Sequence, residues 1–174
     1  LPYVTIDDYS AAKTATEKLI SLNKQKIGLI NGPRSFRYAR ERERGFRDAL
    51  KENGINANED WILSLPVIKY DIALPIVDQI FSTEYYPEAF FCISDTFGAA
   101  VVTIAKKHKL KMPEDLSIIG FDDTIFSQII SPPITTVSQP KFKIGYSAVE
   151  LLEKYDLKKE HIILGTKLIM RKTT

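Results

Sequence analysis

The sequence predicts an α/β fold of three layers, in which a parallel sheet carries helices on both faces. Strand-like apolar runs return at intervals of roughly 30 residues, a spacing that βαβ units produce. A short polar loop ends each run, and a helical pattern follows at least the first three. The four runs are residues 26–30, 62–67, 89–93 and 116–120.

The polar loops that follow these runs predict where a ligand binds. The carboxyl ends of parallel strands meet at one edge of the sheet, and ligands bind in the crevice outside that edge. The loops are residues 31–35, 68–71, 94–96 and 121–123. We therefore expect the polar side chains with a function to lie at a single crevice.

Helical periodicity and capping residues predict the other elements in chain order. A strand within residues 1–7 precedes a helix that starts at a cap on Asp8 or Ser10 and ends near Leu22. A second helix ends before Gly54, which suits the left-handed position after a helix. Helices are expected at residues 39–53, 72–81, 96–108 and 142–154, and further strands at 135–137, 161–164 and 167–170.

Composition indicates a globular protein with an ordinary charge balance. The 174 residues are 44% hydrophobic and 26% charged, which fits one domain with a sizeable core. A net charge of +2 gives no strong electrostatic case for nucleic acid. The single cysteine, Cys92, excludes an internal disulfide and favours a reducing compartment. No apolar run approaches the ~18 residues that a membrane span needs.

Arg42 is the strongest single indication of a ligand contact. It shares a helical stripe with Tyr38 and Phe46, and that stripe should face the sheet. An arginine there must reach solvent or find a partner, and its guanidinium suits a bidentate clamp on hydroxyls or a carboxylate. Its neighbours Arg40, Glu41 and Glu43 fit a solvated face of salt bridges.

Polar residues after two other strands support two interpretations. Asp122 and Asp123 suit acceptors for adjacent sugar hydroxyls, or loop aspartates that cap backbone amides. Ser94 and Asp95 are equally ambiguous, because each could be the N-cap of the next helix. We expect at least one of this second pair to be a cap.

No arrangement of residues predicts catalysis, a metal or a cofactor. His108 and His161 have no cysteine or carboxylate at metal-ligand spacing. The chain has no Gly-x-Ser-x-Gly elbow, Walker loop or Gly-x-Gly-x-x-Gly turn. An enzyme or phospho-receiver built on Asp122 and Asp123 would lack a suitably placed nucleophile, lysine or metal cluster. The sequence therefore favours binding over enzymatic activity.

Four ordered segments resemble the ligand-binding core of the lactose-repressor (LacI/GalR) family of bacterial transcription regulators. They are residues 26–33, 39–46, 113–123 and 131–140. The resemblance implies a type I periplasmic-binding-protein-like fold, in which two α/β subdomains are joined by three crossovers and the effector lies between them.

The resemblance also implies how the chain is divided. Residues 1–7 would end the first subdomain and cross over, and residues 8–136 would form the second, effector-binding subdomain. Residues 137–156 would cross back and add a helix to the first subdomain, and 157–174 would return terminal strands to the second. The chain opens on a strand without an initiator Met, so we expect a fragment. Operator DNA would be bound only through a missing N-terminal domain.

By the same resemblance, Arg42 grips effector hydroxyls or a carboxylate, and Asp122 rather than Asp123 accepts from the effector. Ser94 and Asp95 occupy the place of the family's usual Asn-Asp, which removes an amide donor.

Three further positions complete the implied site. Ile68 lies near the position where members often stack an aromatic ring on the effector, a role that Tyr70 or Phe121 could take instead. Gln139 and Asp7, at the crossovers, would contact ligand or act as hinges.

A homodimer is implied as well, through segments of the second subdomain. The matching residues are Lys69 and Ile72, Ala99 and Val102 on the exposed side of a helix, and Ile129 and Ile130 in a loop. Consecutive isoleucines in a loop are typical of an exposed apolar patch, although both could pack beneath their own loop.

The function that follows is the effector-binding part of a cytoplasmic transcription regulator. A sugar or sugar derivative would bind in the cleft and control DNA binding, without a cofactor or a membrane. The alternative is the sugar-binding receptor of a transport system, which shares this fold.

Overall fold

A computed structural model describes residues 2–153 and 161–174, and its strands and helices alternate as the sequence predicts. The strands are β1 (Tyr3–Ile6), β2 (Ile27–Asn31), β3 (Ile62–Ser64), β4 (Ala89–Cys92), β5 (Ser117–Phe121), β6 (Thr135–Ser138), β7 (His161–Leu164) and β8 (Lys167–Ile169). The helices are α1 (Asp8–Ser21), α2 (Arg37–Glu52), α3 (Tyr70–Phe81), α4 (Asp95–Lys107), α5 (Ile125–Ile129) and α6 (Lys141–Glu153). A 3₁₀ turn at Glu59–Trp61 precedes β3.

Six strands form one sheet in the order β3-β2-β4-β5-β6-β8. The first five are parallel, and β8 is antiparallel to β6. Helix α1 packs on α2, and α3 packs on α4. The chain moves in opposite directions across the sheet through α2 and α3, and such crossovers are right-handed, so the two helix pairs cover opposite faces. The predicted three-layer α/β fold is confirmed.

The core lies where these layers meet. Every residue of β2, β4 and β5 is buried, as expected for central strands that are covered on both faces. Phe90, Phe91 and Phe97 are fully buried, and burying each such side chain contributes about 1.5–3 kcal/mol to folding. Between α1 and α2, which cover one face of the sheet, Gly45 allows a close approach, because a Cβ there would overlap the carbonyl oxygen of Tyr9.

The two terminal strands do not stay together. We expected both to join residues 8–136, but β7 pairs in parallel with β1 in a separate two-stranded sheet, and only β8 joins the larger sheet. In the small sheet Ile6 lies opposite Leu164 and both are buried, while the rings of Tyr3 and His161 stack at 3.9 Å. These contacts join β7 to β1 in the small sheet.

Three short linkers join the two sheets. Asp7 leads from β1 into α1, residues 139–140 lead from β6 into α6, and residues 165–166 lead from β7 into β8. The first two linkers lie at the expected crossovers near Asp7 and Gln139, whereas the third follows β7 instead of preceding it. The predicted helix end at Lys154 and the predicted start of the terminal segment at residue 157 lie outside the described residues.

Helix starts differ in detail from the prediction. The cap of α1 is Asp7 rather than Asp8 or Ser10, because its carboxylate accepts from the backbone N–H of Ser10 at 2.9 Å and from its hydroxyl at 2.7 Å. The short helix α5 was not predicted, because its five residues are too few to show a period. Within the described residues, no helix combines the length and apolarity that a bilayer crossing requires.

Candidate ligand-binding site

Arg42 lies beneath the carboxyl edge of the sheet and is 5% exposed. Its Nε donates to Asp8 at 2.8 Å, its Nη2 lies 2.8 Å from the same carboxylate oxygen, and its Nη1 donates to the carbonyl oxygen of Ile93 at 2.7 Å. Its guanidinium carbon is 3.4 Å from the centroid of the Phe121 ring, which fixes the plane of the group through a cation–π contact.

These contacts leave part of the guanidinium free. Arginine carries five N–H groups, and at most three of them face Asp8 and Ile93. Two terminal N–H groups therefore have no partner among the described residues. They are oriented by an ion pair on one side and an aromatic ring on the other, which suits a bidentate contact with a ligand.

Asp122 and Asp123 begin the loop after β5 and differ in their partners. Asp123 forms an ion pair with Arg171 at 2.7 Å, whereas Asp122 accepts a hydrogen bond from the side-chain amide of Gln139. Burial raises the pKa of Asp123, but the ion pair with Arg171 has the larger effect and holds that pKa below the ordinary value. The pairing of Asp123 with Arg171 leaves Asp122 as the better placed acceptor, and its contact with an effector stays a prediction.

The backbone of this loop is unusual. Asp122 and Asp123 have φ angles of 97° and 48°, a region that residues other than glycine enter at a cost of about 1–2 kcal/mol. Such backbone strain clusters at functional sites. Its presence supports a ligand contact at this turn.

Ser94 and Asp95 hold the loop from below. Ser94 is the N-cap of α4, since its hydroxyl accepts from the N–H of Phe97 at 3.3 Å, so the prediction that one of the pair is a cap is confirmed. Asp95 is fully buried and accepts from the N–H and hydroxyl of Thr124, at 2.6 and 3.0 Å, and from the hydroxyl of Thr136 at 2.5 Å. We expected Asp95 to contact the ligand, but in this structure both of its carboxylate oxygens accept hydrogen bonds from Thr124 and Thr136.

Asp95 is also kept from ionising easily. Burial raises its pKa above the ordinary value, although Thr136 and Thr124 donate to it. Gly120 makes room for this carboxylate, because a Cβ there would overlap the Oδ1 of Asp95. A buried aspartate therefore anchors Thr124 and Thr136 beside the turn that carries Asp122.

None of the three positions expected to stack on the effector is fully exposed. Phe121 is fully buried under Arg42, so it stabilises the arginine rather than offering a face to a ligand. Ile68 is half-buried and lies with Ile93 and the Tyr38 hydroxyl around Gly32. Tyr70 is also half-buried, and its hydroxyl donates to Thr103 at 2.8 Å.

Two site residues escaped the sequence reasoning. We singled out Asp7, but its carboxylate caps α1, and its neighbour Asp8 is the residue that binds Arg42. The signal was the pair of adjacent aspartates at a predicted crossover. Arg171, which neutralises Asp123, follows β8 beside Lys172, and nothing in its sequence context pointed to the site.

Glu43 corrects the interpretation of the charged run on α2. It is 9% exposed rather than solvated, and it accepts from Arg34, Arg47 and the Asn31 amide at 2.8 to 3.0 Å. Burial disfavours its charge, but the two arginines lower its pKa below the ordinary value. Glu43 thus ties the loop after β2 to α2.

The residues predicted for dimerisation divide into two groups. Lys69, Ile72 and Ile129 are exposed, and Ile130 is half-buried against the core. The prediction that Ala99 and Val102 lie on an exposed side of their helix is wrong. They are 2% and 0% exposed, because α4 lies on the sheet and is flanked by α3 and α5.

The described residues contain no cluster of three or more His, Cys, Asp or Glu side chains that could hold a metal ion. Cys92 is buried in β4, and burial raises the pKa of its thiol far above the ordinary value. A thiol in this setting is inert and packs as part of the core.

Arg42 and Asp122 form one side of a ligand site, a half-site, at the carboxyl edge of a parallel sheet that three linkers join to a second sheet. This arrangement defines the class of periplasmic-binding-protein-like domains. The family model described as "Periplasmic binding protein-like domain" matches residues 16–174. The chain is 36% identical over 147 residues to the HTH-type transcriptional repressor PurR of Vibrio vulnificus, which is 84% of this chain and 44% of that repressor. The chain belongs to the LacI/GalR family of transcription regulators and is an effector-binding core of that family.

Two further comparisons agree. The HTH-type transcriptional repressor CytR of Escherichia coli K12 is 34% identical over 169 residues, which is 97% of this chain and 49% of the repressor. The solved complex of the transcriptional regulator CelR with cellobiose has a TM-score of 0.93 at 27% identity, over 100% of this chain and 54% of that one. The chain spans about half the length of these relatives, which are transcription regulators and not enzymes.

Proposed function

We propose that this chain binds a small carbohydrate or carbohydrate derivative and thereby controls a transcription regulator. One observation carries the proposal. Arg42 has free N–H donors and Asp122 has an acceptor carboxylate, and both residues lie at the same edge of the sheet. Adjacent sugar hydroxyls both donate and accept, so they match such a pair. The cellobiose bound by the structural relative CelR supports this ligand class.

The ligand would be enclosed by a second lobe of a longer, cytoplasmic repressor. Support comes from α6, where Phe142, Tyr146, Val149 and Leu152 are 54% to 86% exposed at helical spacing. An exposed apolar stripe of this kind marks an interaction surface. We infer that it packs on the first subdomain, and that operator DNA is bound by a part of the protein outside this chain.

Regulation would follow from a difference between two arrangements of the lobes. An effector shifts such an equilibrium only by the difference in its affinity for the two states. Contacts in the crevice that are complete in one arrangement supply that difference.

A sugar titration tests the proposed ligand class. We expect cellobiose, glucose or ribose to release heat on binding to the full-length repressor in isothermal titration calorimetry. Asp122→Asn should weaken the tightest of them about tenfold or more, since a hydrogen bond to a charged group contributes about 1.5–3 kcal/mol. Asp123→Asn is the matched control, because its carboxylate already serves Arg171. Equal losses in both variants, or no binding of any of these sugars, would contradict the proposal.

We also propose that α5 lies in a homodimer interface. Ile125, Phe126 and Ile129 are 60%, 45% and 68% exposed on this short helix, and Ile72 on α3 is 40% exposed. The three side chains of α5 form a patch that is unusually apolar for a free surface.

The dimer is tested by placing a charge in that patch. Ile129→Glu should shift the repressor from dimer to monomer in analytical ultracentrifugation and weaken association at least tenfold, because a carboxylate buried in an interface has no partner. Gln128→Glu, the adjacent exposed residue, is the control and should leave the mass unchanged. A dimer of undiminished stability in Ile129→Glu would exclude this surface.

A further inference from the structure

An exposed aromatic residue lies in the loop after β2, at the same edge of the sheet as Arg42 and Asp122. The side chain of Phe36 is 52% exposed, and it is the last residue of that loop before α2 begins. Its ring lies 5.5 Å from the ring of Tyr38 at an angle of 14°, so the two rings are stacked. One face of the Phe36 ring thus packs on Tyr38, and the exposed remainder of the ring is accessible to a ligand.

Phe36 is the outer end of a column of aromatic and guanidinium groups that starts in the core. Phe121 is fully buried, and the guanidinium carbon of Arg42 lies 3.4 Å from the centroid of its ring. The same carbon lies 5.2 Å from the centroid of the Tyr38 ring, which in turn stacks on Phe36. Consecutive contacts of this kind restrict the orientation of each group in the column. The column therefore presents the ring of Phe36 and the free N–H groups of Arg42 to the same crevice.

The stability of α2 gives no reason for a phenylalanine at position 36. Phe36 is the N-cap of the helix, and its side chain makes no capping hydrogen bond. Serine, threonine, aspartate and asparagine are preferred at an N-cap, because their side chains accept from a free N–H of the first turn. The first turn of α2 also has no acidic residue to complement the helix dipole. A residue that provides no cap and exposes an aromatic ring is better explained by a contact with a ligand, since local rules are broken mainly at functional sites.

We propose that Phe36 determines specificity, and that the effector is a sugar joined to a planar ring that packs on Phe36. This inference rests on the proposed function, because it concerns the same crevice. The sugar hydroxyls bind Arg42 and Asp122, while the planar ring lies against Phe36. Tyr38 contacts both Arg42 and Phe36, so a ligand that reaches from the guanidinium to the Phe36 ring extends beyond a single sugar.

Matched pairs of compounds test the ring contact by isothermal titration calorimetry on the full-length repressor. Phenyl β-glucoside is compared with methyl β-glucoside, and adenosine with ribose, because the planar ring can belong to an aglycone or to a nucleobase. In the wild type we expect the planar ring to tighten binding about three- to tenfold in one of the pairs, which is the contribution of a stacked aromatic pair. Phe36→Ala should remove that advantage and leave the affinity for the compound without the planar ring unchanged. An equal loss for both members of the pair, or no advantage of the planar ring in the wild type, would overturn the inference.

Further variants separate a contact with the ligand from a change in the helix. Phe36→Trp keeps a planar ring and should retain the advantage that Phe36→Ala loses. Phe36→Ser supplies a side chain that an N-cap prefers, so it should remain as stable as the wild type in urea unfolding and still lose the advantage. Tyr85→Ala is the control and should keep the advantage, because Tyr85 is an aromatic residue, 62% exposed, that follows α3 and packs on Trp61. Equal binding of both members of the pair by Phe36→Trp would mean that the aromatic ring at this position does not contact the ligand.

The same titrations distinguish this inference from the proposed function. If methyl β-glucoside or ribose binds through Asp122 but the planar ring gives no advantage, the proposed ligand class stands and the inference about Phe36 is overturned. If only the compounds with a planar ring bind, and Phe36→Ala abolishes their binding, the contact with Phe36 stands and the proposed sugar contacts are contradicted. If none of the four compounds binds the wild type, both are overturned.

Discussion

Replacing Arg42 by alanine is expected to abolish the response of the full-length repressor to its effector while leaving operator binding intact. The guanidinium is fixed by Asp8, Ile93 and Phe121 and keeps two N–H groups for a ligand. Losing a bidentate, charge-assisted contact should cost about 3 kcal/mol, or roughly 100-fold in affinity. Calorimetry with the panel sugars and operator titrations with and without sugar measure the two effects separately.

Two companion variants make this result interpretable. Arg44→Ala removes an arginine two positions further along α2 that is exposed and paired with Glu41, and it should bind sugar like the wild type. Arg42→Lys keeps a cation near Asp8 but not the planar fork, and it should lose most of the affinity while remaining folded. Unchanged induction in Arg42→Ala would remove Arg42 from the site.

Arg42→Ala also has a stability cost that must be measured. It leaves the mostly buried Asp8 carboxylate without its partner, which we expect to lower the free energy of unfolding by about 3 kcal/mol. Urea unfolding of each variant shows whether a lost response reflects lost contacts or lost structure. Only a variant that is folded at the working temperature tests the site.

The strands, the helices and the ligand edge of the sheet could be predicted from the sequence, because each depends on a local pattern of residues. Apolar runs, polar loops and helical stripes repeat along the chain, so the parallel sheet and its ligand edge followed directly. The stripe of Tyr38, Arg42 and Phe46 placed the arginine correctly, because helical spacing determines which residues share a face. Pairing of β7 with β1 could not be predicted in this way, since it joins segments more than 150 residues apart.

Side-chain partners were harder to predict than backbone elements. Asp7 and Asp8 are adjacent and chemically identical, and only the entry angle of α1 decides which one caps the helix and which one meets Arg42. Ala99 and Val102 are small apolar residues, which suit a close helix contact inside a protein as well as an interface. The position of α5 beside α4 decided between the two, and that helix was too short to predict.

Asp95→Ala is expected to be the most damaging single change for stability among the residues of the site. The carboxylate accepts three hydrogen bonds, and its removal leaves the half-buried N–H of Thr124 and the buried hydroxyl of Thr136 without this acceptor. Each unsatisfied buried group costs about 1–3 kcal/mol, so we expect a loss of about 3 kcal/mol or more in urea unfolding. Asp71→Ala is a matched control, since Asp71 also lies in the first turn of a helix but is exposed. A loss no larger than that of the control would mean that the network contributes nothing.

The variant Asp95→Asn tests the pH dependence of stability. The change expected for Asp95 has the opposite sign to the one that causes ordinary acid unfolding. Burial raises the pKa of Asp95, so the native state holds this proton more tightly than the unfolded state, in which the pKa is near 3.8. As the pH falls from neutrality toward 3.8, this group alone therefore adds stability to the wild type. Asparagine does not titrate, so the stability of the wild type relative to Asp95→Asn should increase over that range, as measured by urea unfolding at each pH. A stability difference between the two proteins that shrinks as the pH falls would mean that the carboxylate is stabilised in its charged form. Asp95 would then hold Thr124 and Thr136 as an ion rather than as a buried acid.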